Sequence, residues 1–196
     1  DYITGAYLLT SKSTLLTKEE VTELLSVSGY RGDLPEPVIY SPKPRWTGKQ
    51  LISLFLPPNF NLKQKANVNT GKLKCDSEDC FNDTIIVIKK GVFATGVLDK
   101  KSIGSQQPES FYHWLVKEYG PDFATYFTDR VFKMFVRFAE MHGFTMAYDD
   151  VVIPEEAISK IKEVMREAEQ DVRNLIQEYI EGRLEPLPGQ TLEETL

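Results

Sequence analysis

The sequence predicts an α+β fold: mixed helices packed on a small antiparallel sheet or hairpin, followed by a long C-terminal helix that reads as half of a coiled-coil hairpin. Three observations predict it. Complete helix-start boxes stand at Thr17 and Thr47. Two β-branched runs flank Lys89-Lys90-Gly91, the pattern of a β-hairpin. From Ile158 to Tyr179, apolar residues recur at alternating spacings of three and four, which is a heptad seam.

Composition bounds what these elements build. A chain of 196 residues makes one large domain or two small ones. Apolar residues at 41%, with Phe 11, Tyr 9 and Trp 2, supply a proper core. Two cysteines exclude a disulfide scaffold, and two histidines leave little for a dedicated zinc site. The longest uncharged apolar run, Leu51 to Leu62, contains Pro57-Pro58, and no transmembrane helix fits it.

Along the chain, Tyr2 to Leu9 suits a short helix or a buried strand equally. Thr17 then caps a helix, with Glu20 closing the box, Leu16 and Val21 stapling it, and Gly29 ending it. Leu34 to Pro44 holds four prolines, which remove backbone donors and predict an extended arm. Thr47 caps the next helix with Gln50 and the staple pair Trp46 and Leu51; Pro57-Pro58 stops it. Asn59 to Thr84 is polar and reads as a loop with short edge strands at most. The hairpin runs through Thr84–Ile88 and Val92–Leu98, and Lys100-Lys101 and Gly104 leave the sheet.

After Pro108 the period becomes helical. Phe111, Trp114 and Leu115 share a face that ends at Tyr119-Gly120, and Pro121 sits in the first turn of the following helix. The stripe from Phe123 through Phe127, Val131, Met134, Phe135 and Phe138 to Met141 is too wide and aromatic for a surface helix and predicts the spine of the core. Gly143 stops it, and Phe144 to Tyr148 could add a strand. Beyond Asp149-Asp150 the composition shifts, which divides the chain into residues 1–150 and 151–196. Pro154 opens the acidic heptad helix, whose seam needs a partner. Thr191-Leu192-Glu193-Glu194 is a further capping box, so a second helix is expected to begin there, as in a piece of a longer polypeptide.

Few residues carry chemistry. Trp46-Thr47-Gly48-Lys49-Gln50 lacks the second glycine and the Ser/Thr of a phosphate loop, and capping explains it better. Cys75 and Cys80 leave open a metal site, a local disulfide or plain thiols, and zinc would need two more ligands. His113 reads as a packed, hydrogen-bonded side chain, and His142 as a cation at a helix C-terminus. Asp149-Asp150, without a third acid nearby, reads as a cap. No catalytic residue is assigned, and spacing alone indicates a non-catalytic module. Charge is uneven: residues 43–101 hold eleven Lys/Arg against five acids, and residues 150–196 hold twelve acids against five bases. The first region suits a polyanion or an acidic partner.

Several motifs occur together in an order that resembles the largest subunit of multisubunit DNA-directed RNA polymerases. Pro35-x-Pro37 through Pro42-Lys43-Pro44-x-Trp46-Thr47-Gly48-Lys49-Gln50 is similar to a segment of that family, with Tyr40-Ser41 and Arg45 departing from its commoner Leu-Lys and Leu. Gly96-Val97-Leu98-Asp99-Lys100-Lys101-Ser102-Ile103-Gly104 resembles a second segment. Leu115 to Pro121, His142 to Met146 and Asp1 to Gly5 resemble three more, and Gln106-Gln107-Pro108 through Leu115 is closest to the archaeal form.

The resemblance implies a pore domain over 1–150 and the start of a funnel domain over 151–196, lining a secondary channel through which nucleotides enter and transcript-cleavage factors insert. It implies Lys49, Lys100 and Lys101 as candidates for contact with phosphates or such a factor. The catalytic magnesium of that family is held by an aspartate motif absent from these residues; magnesium and structural zinc are expected in the complete subunit, with no cofactor here. The implied partners are the other polymerase subunits, the cleavage factor, nucleotides in transit, and DNA and RNA only in the assembled enzyme, with no membrane and a cytoplasmic location. Two other readings compete: an adaptor module dimerising through the heptad helix, and a small nucleic-acid-binding domain over 43–101.

Overall fold

A computed structural model describes residues 1–70, 73–77, 82–104, 108–184 and 189. The chain divides into two units, Asp1–Phe144 and Thr145–Leu196. Its class is α+β, with a long C-terminal helix.

In the first unit, the apolar N-terminal run is helix α1 (Tyr2–Thr10). Its helical period lets Gly5 meet the backbone of a later helix, α5 (Phe111–His142): a Cβ on Gly5 would stand 2.2 Å from the Phe135 carbonyl oxygen. Helix α2 (Lys18–Val27) begins with the expected box, in which Thr17 Oγ1 accepts from the Glu20 N–H at 3.3 Å and Glu20 Oε2 accepts from the Thr17 N–H at 2.7 Å. Gly29 (φ 70°) turns the chain out of α2. Arg130 of α5 then satisfies the orphan carbonyls of Ser28 and Gly29 at 3.0 and 2.9 Å.

The proline arm is not extended throughout. It doubles back, with Val38 N–H donating to the Arg45 carbonyl at 2.9 Å and Arg45 N–H donating to the Ile39 carbonyl at 2.8 Å, around a cis Ser41–Pro42 bond. The arm is anchored by Trp46 Nε1, which donates to the Pro35 carbonyl at 2.7 Å, and Gln50 Nε2, which donates to the Glu36 carbonyl at 2.8 Å. It leads into a two-residue ladder that sequence patterning does not reveal: β1 (Leu15–Leu16) pairs antiparallel with β2 (Trp46–Thr47). Helix α3 (Gly48–Ser53) follows at once, with the Thr47–Gln50 box formed and the staple residues Trp46 and Leu51 buried.

The main sheet has the order β3-β4-β5 and is antiparallel throughout: β3 (Leu62–Lys65), β4 (Ile85–Lys89) and β5 (Val92–Thr95). Lys90 and Gly91 both have positive φ (50° and 76°), as a tight two-residue hairpin turn requires. β3 is the edge strand within the polar segment. β4 is central and buried over its first four residues. A register shift between Val87 and Ile88, followed by Gly96 at φ 96°, ends β5 earlier than Leu98.

A four-residue helix, α4 (Lys100–Ile103), leaves the sheet. α5 is broken at Gly120 (φ 83°, ψ 167°), where the sequence places a stop and a restart at Pro121. Its stripe is the core spine: Phe111, Phe127 and Phe135 are fully buried, and Phe60 packs edge-on to Phe111 with ring centroids 5.7 Å apart. Arg137 ties α5 to α2 through Glu23, Nε donating at 2.8 Å.

In the second unit, residues 145–147 form no strand; a 3₁₀ turn occupies Tyr148–Val151, and Asp150 Oδ2 accepts from the Ala147 N–H at 2.7 Å. Helix α6 (Glu155–Ile180) has no buried residue, and its seam positions Ile161, Met165 and Val172 are exposed. The capping box at Thr191 to Glu194 lies outside the described residues.

Candidate functional site

The candidate residues gather around the segment from Gly96 to Ser102. Val97 and Leu98 are buried and pin it from below. Asp99 is also buried, and its side chain is the N-cap of α4: Oδ1 accepts from the Lys101 and Ser102 N–H groups at 3.0 and 3.2 Å, while Oδ2 accepts from the Asn67 N–H. Ser102 Oγ accepts from the Asp99 N–H at 2.7 Å, which closes a capping box that the sequence pattern does not announce, because its third residue is Ser rather than Glu or Gln. Lys100 and Lys101 are exposed on this turn. A turn held by the hydrogen bonds of its buried aspartate cap thus carries two adjacent cations into solvent, an arrangement suited to an anion of more than one charge.

Lys49, the third candidate for contact with phosphates or a factor, is placed otherwise than Lys100 and Lys101. It is only 9% exposed, and its Nζ lies 2.5 Å from Asp83 Oδ2; Asp83 is itself 7% exposed. The lysine charge is satisfied inside the fold. The sequence signal for this was weak: Asp83 is one of five acids in a basic stretch, 34 residues away from Lys49.

On β3, Lys63 and Lys65 are exposed, and Lys65 pairs with Asp76, whose carboxyl is held below its ordinary range by the hydrogen bond and charge of that lysine. Cys75 lies in the loop organised by Asn69, whose Nδ2 donates to the Cys75 carbonyl at 2.7 Å; Cys80 lies outside the described residues. Among the described residues, no three His, Cys, Asp or Glu side chains are grouped to hold a metal ion, and no helix is long and apolar enough to cross a membrane. His113 is exposed rather than packed, because it faces away from the buried Phe111–Leu115 side of α5. His142 stacks on Phe138 with ring centroids 5.4 Å apart.

With this fold and turn in place, comparison with known proteins identifies the class. The profile of the family described as RNA polymerase Rpb1, domain 3, matches residues 1–151. The chain belongs to that family, the largest-subunit family of DNA-directed RNA polymerases. It is 52% identical over its whole length to DNA-directed RNA polymerase subunit Rpo1N of Sulfolobus acidocaldarius, of which it covers 22%. It is 40% identical to Rpo1N of Methanocaldococcus jannaschii, covering 14% of that protein, and 31% identical to DNA-directed RNA polymerase III subunit RPC1 of Saccharomyces cerevisiae, again covering 14%. The chain therefore spans about a fifth or less of the length of these curated relatives.

Proposed function

We propose that this chain is a wall of the secondary channel in a DNA-directed RNA polymerase, with residues 1–150 as the pore domain and 151–196 as the start of the funnel. In this reading the assembled enzyme is the nucleotidyltransferase of the cytoplasm. The reactive magnesium is held by aspartates outside these residues, and the chain alone polymerises nothing. Nucleotides and a transcript-cleavage factor pass or insert beside it, and the other polymerase subunits enclose it. The observation that carries the reading is the exposed Lys100–Lys101 pair on a turn locked by a buried Asp99. A channel carrying polyanions favours fixed cations on its wall, since fixed charge concentrates the ligand and speeds its arrival.

The test is to convert Lys100 and Lys101 to alanine in the assembled polymerase. Cleavage-factor stimulation or nucleotide uptake is expected to weaken, most at low salt, where screening is least. Unchanged kinetics at low salt would overturn the reading. The exposed seam of α6 supports a helical partner, which here is the returning arm of a hairpin. That same seam is what favours the second reading, an adaptor that dimerises through α6, and analytical ultracentrifugation decides between them.

A further inference from the structure

We infer that Lys49 and Asp83 are positioning residues for the Lys100–Lys101 turn, an inference that rests on the reading of that turn as an anion contact. Eight polar or charged residues are buried among those described, and five of them, Thr10, Lys49, Asp83, Asp99 and Ser102, act on the segment from Gly96 to Ser102. Each end of the segment is held by a carboxylate. Asp99 fixes the lysine end, as described above. Asp83 fixes the other, its Oδ1 accepting the Gly96 N–H at 2.6 Å.

Asp83 can do this only because Lys49 is present. The aspartate sits at φ 58°, an unusual conformation for a side-chain-bearing residue, and its second oxygen is taken by the Lys49 ammonium. Without that cation, a buried carboxylate would keep one neutral donor and an uncompensated charge, and it would move toward water. Gly96 would then lose its anchor. Four residues later the chain emerges as Lys100, so a shift at Gly96 passes along Val97 and Leu98 to the spacing of the two ammonium groups. Lys49 thus serves the anion by orienting the residues that meet it.

Hydrogen exchange, read by mass spectrometry on the assembled polymerase in magnesium-free buffer with and without inorganic tripolyphosphate, tests this. In the parent enzyme, tripolyphosphate is expected to slow exchange over residues 99–104. Lys49→Met should speed exchange over 96–102 by about tenfold while leaving α5 unchanged, and should raise the tripolyphosphate needed for protection by about fivefold. Lys49→Arg should restore both. Asp83→Asn tolerates the positive φ but has one carbonyl oxygen for two donors, the Gly96 N–H and the Lys49 ammonium, and it serves where Lys49→Met fails to assemble; it should speed the same residues. Acceleration spread equally through α5, or none at all, overturns the inference. Lys100→Ala with Lys101→Ala should abolish the protection at parental exchange rates. Protection that persists in that variant defeats the anion-contact reading itself, whereas the exchange rates of the Lys49 and Asp83 variants judge the positioning separately.

Discussion

The hydroxyl of Thr10 accepts the Leu98 N–H at 2.9 Å across 88 residues of chain, and donates in turn to the Ala6 carbonyl at 2.7 Å. It joins the end of α1 to the segment that carries the lysine turn. Both Thr10 and Leu98 are fully buried, so the amide has no water to fall back on.

Thr10→Val keeps the shape and removes the acceptor. The orphaned Leu98 amide is expected to cost about 1–3 kcal/mol. Urea denaturation of the variant should show a lower midpoint with an unchanged slope, and a midpoint equal to that of the parent would show that the hydroxyl is not needed.

Gly96 and Gly120 both have positive φ, yet substitution should separate them. A Cβ on Gly96 would lie 2.4 Å from Ile86 Cα and 2.6 Å from the Ile85 carbonyl, whereas one on Gly120 would meet nothing within 4 Å. Gly120→Ala should cost about 1–2 kcal/mol of backbone strain alone. Gly96→Ala adds a backbone clash that the sheet cannot relieve, and should exceed that figure in the same assay. Equal losses would refute the difference in packing.

Thr17→Ala and Thr47→Ala should each lower stability by about 1 kcal/mol, because each removes the acceptor for the N–H of the third helical residue. Serine at either position should be near neutral. The two caps flank one ladder, in which Leu15 pairs with Thr47 and Leu16 with Trp46. The double variant should therefore depart from additivity, and a double-mutant cycle measures the departure.

Glu19 at the start of α2 has its carboxyl lowered from an ordinary value of 4.5, by accepting its own backbone N–H first and the Thr17 hydroxyl second. A carboxyl more acidic in the folded chain than in the unfolded one stabilises fully above the unfolded value, and that stabilisation is lost as pH falls through the folded one. Melting temperature should therefore drop less steeply in Glu19→Gln than in the parent as pH falls from about 6 to about 3. Parallel curves would contradict it.

Much of the fold was legible because it is written in contacts between neighbours. The boxes at Thr17 and Thr47, the Lys90–Gly91 turn, the break at Gly120 and the seam of α6 each depend on residues within one or two turns of chain. Such local chemistry survives in sequence as a fixed spacing. The family resemblance rests on the same kind of ordered motif, and the family profile agrees with it.

Long-range partners left no such spacing. Leu15–Leu16 and Trp46–Thr47 find each other across a proline arm that turns back on itself, and Leu62–Lys65 joins the sheet from within a polar stretch. Phe144 to Tyr148 has strand-like composition, but a strand needs a neighbour to pair with, and among the described residues none pairs with it. The lysines show the division most clearly. Lys49, Lys100 and Lys101 are chemically alike in sequence, each an ammonium on a flexible stem. Burial and the position of Asp83 separate them, taking one inward to a carboxylate and leaving two in water, since the cost of desolvating a charge is set by its surroundings in space.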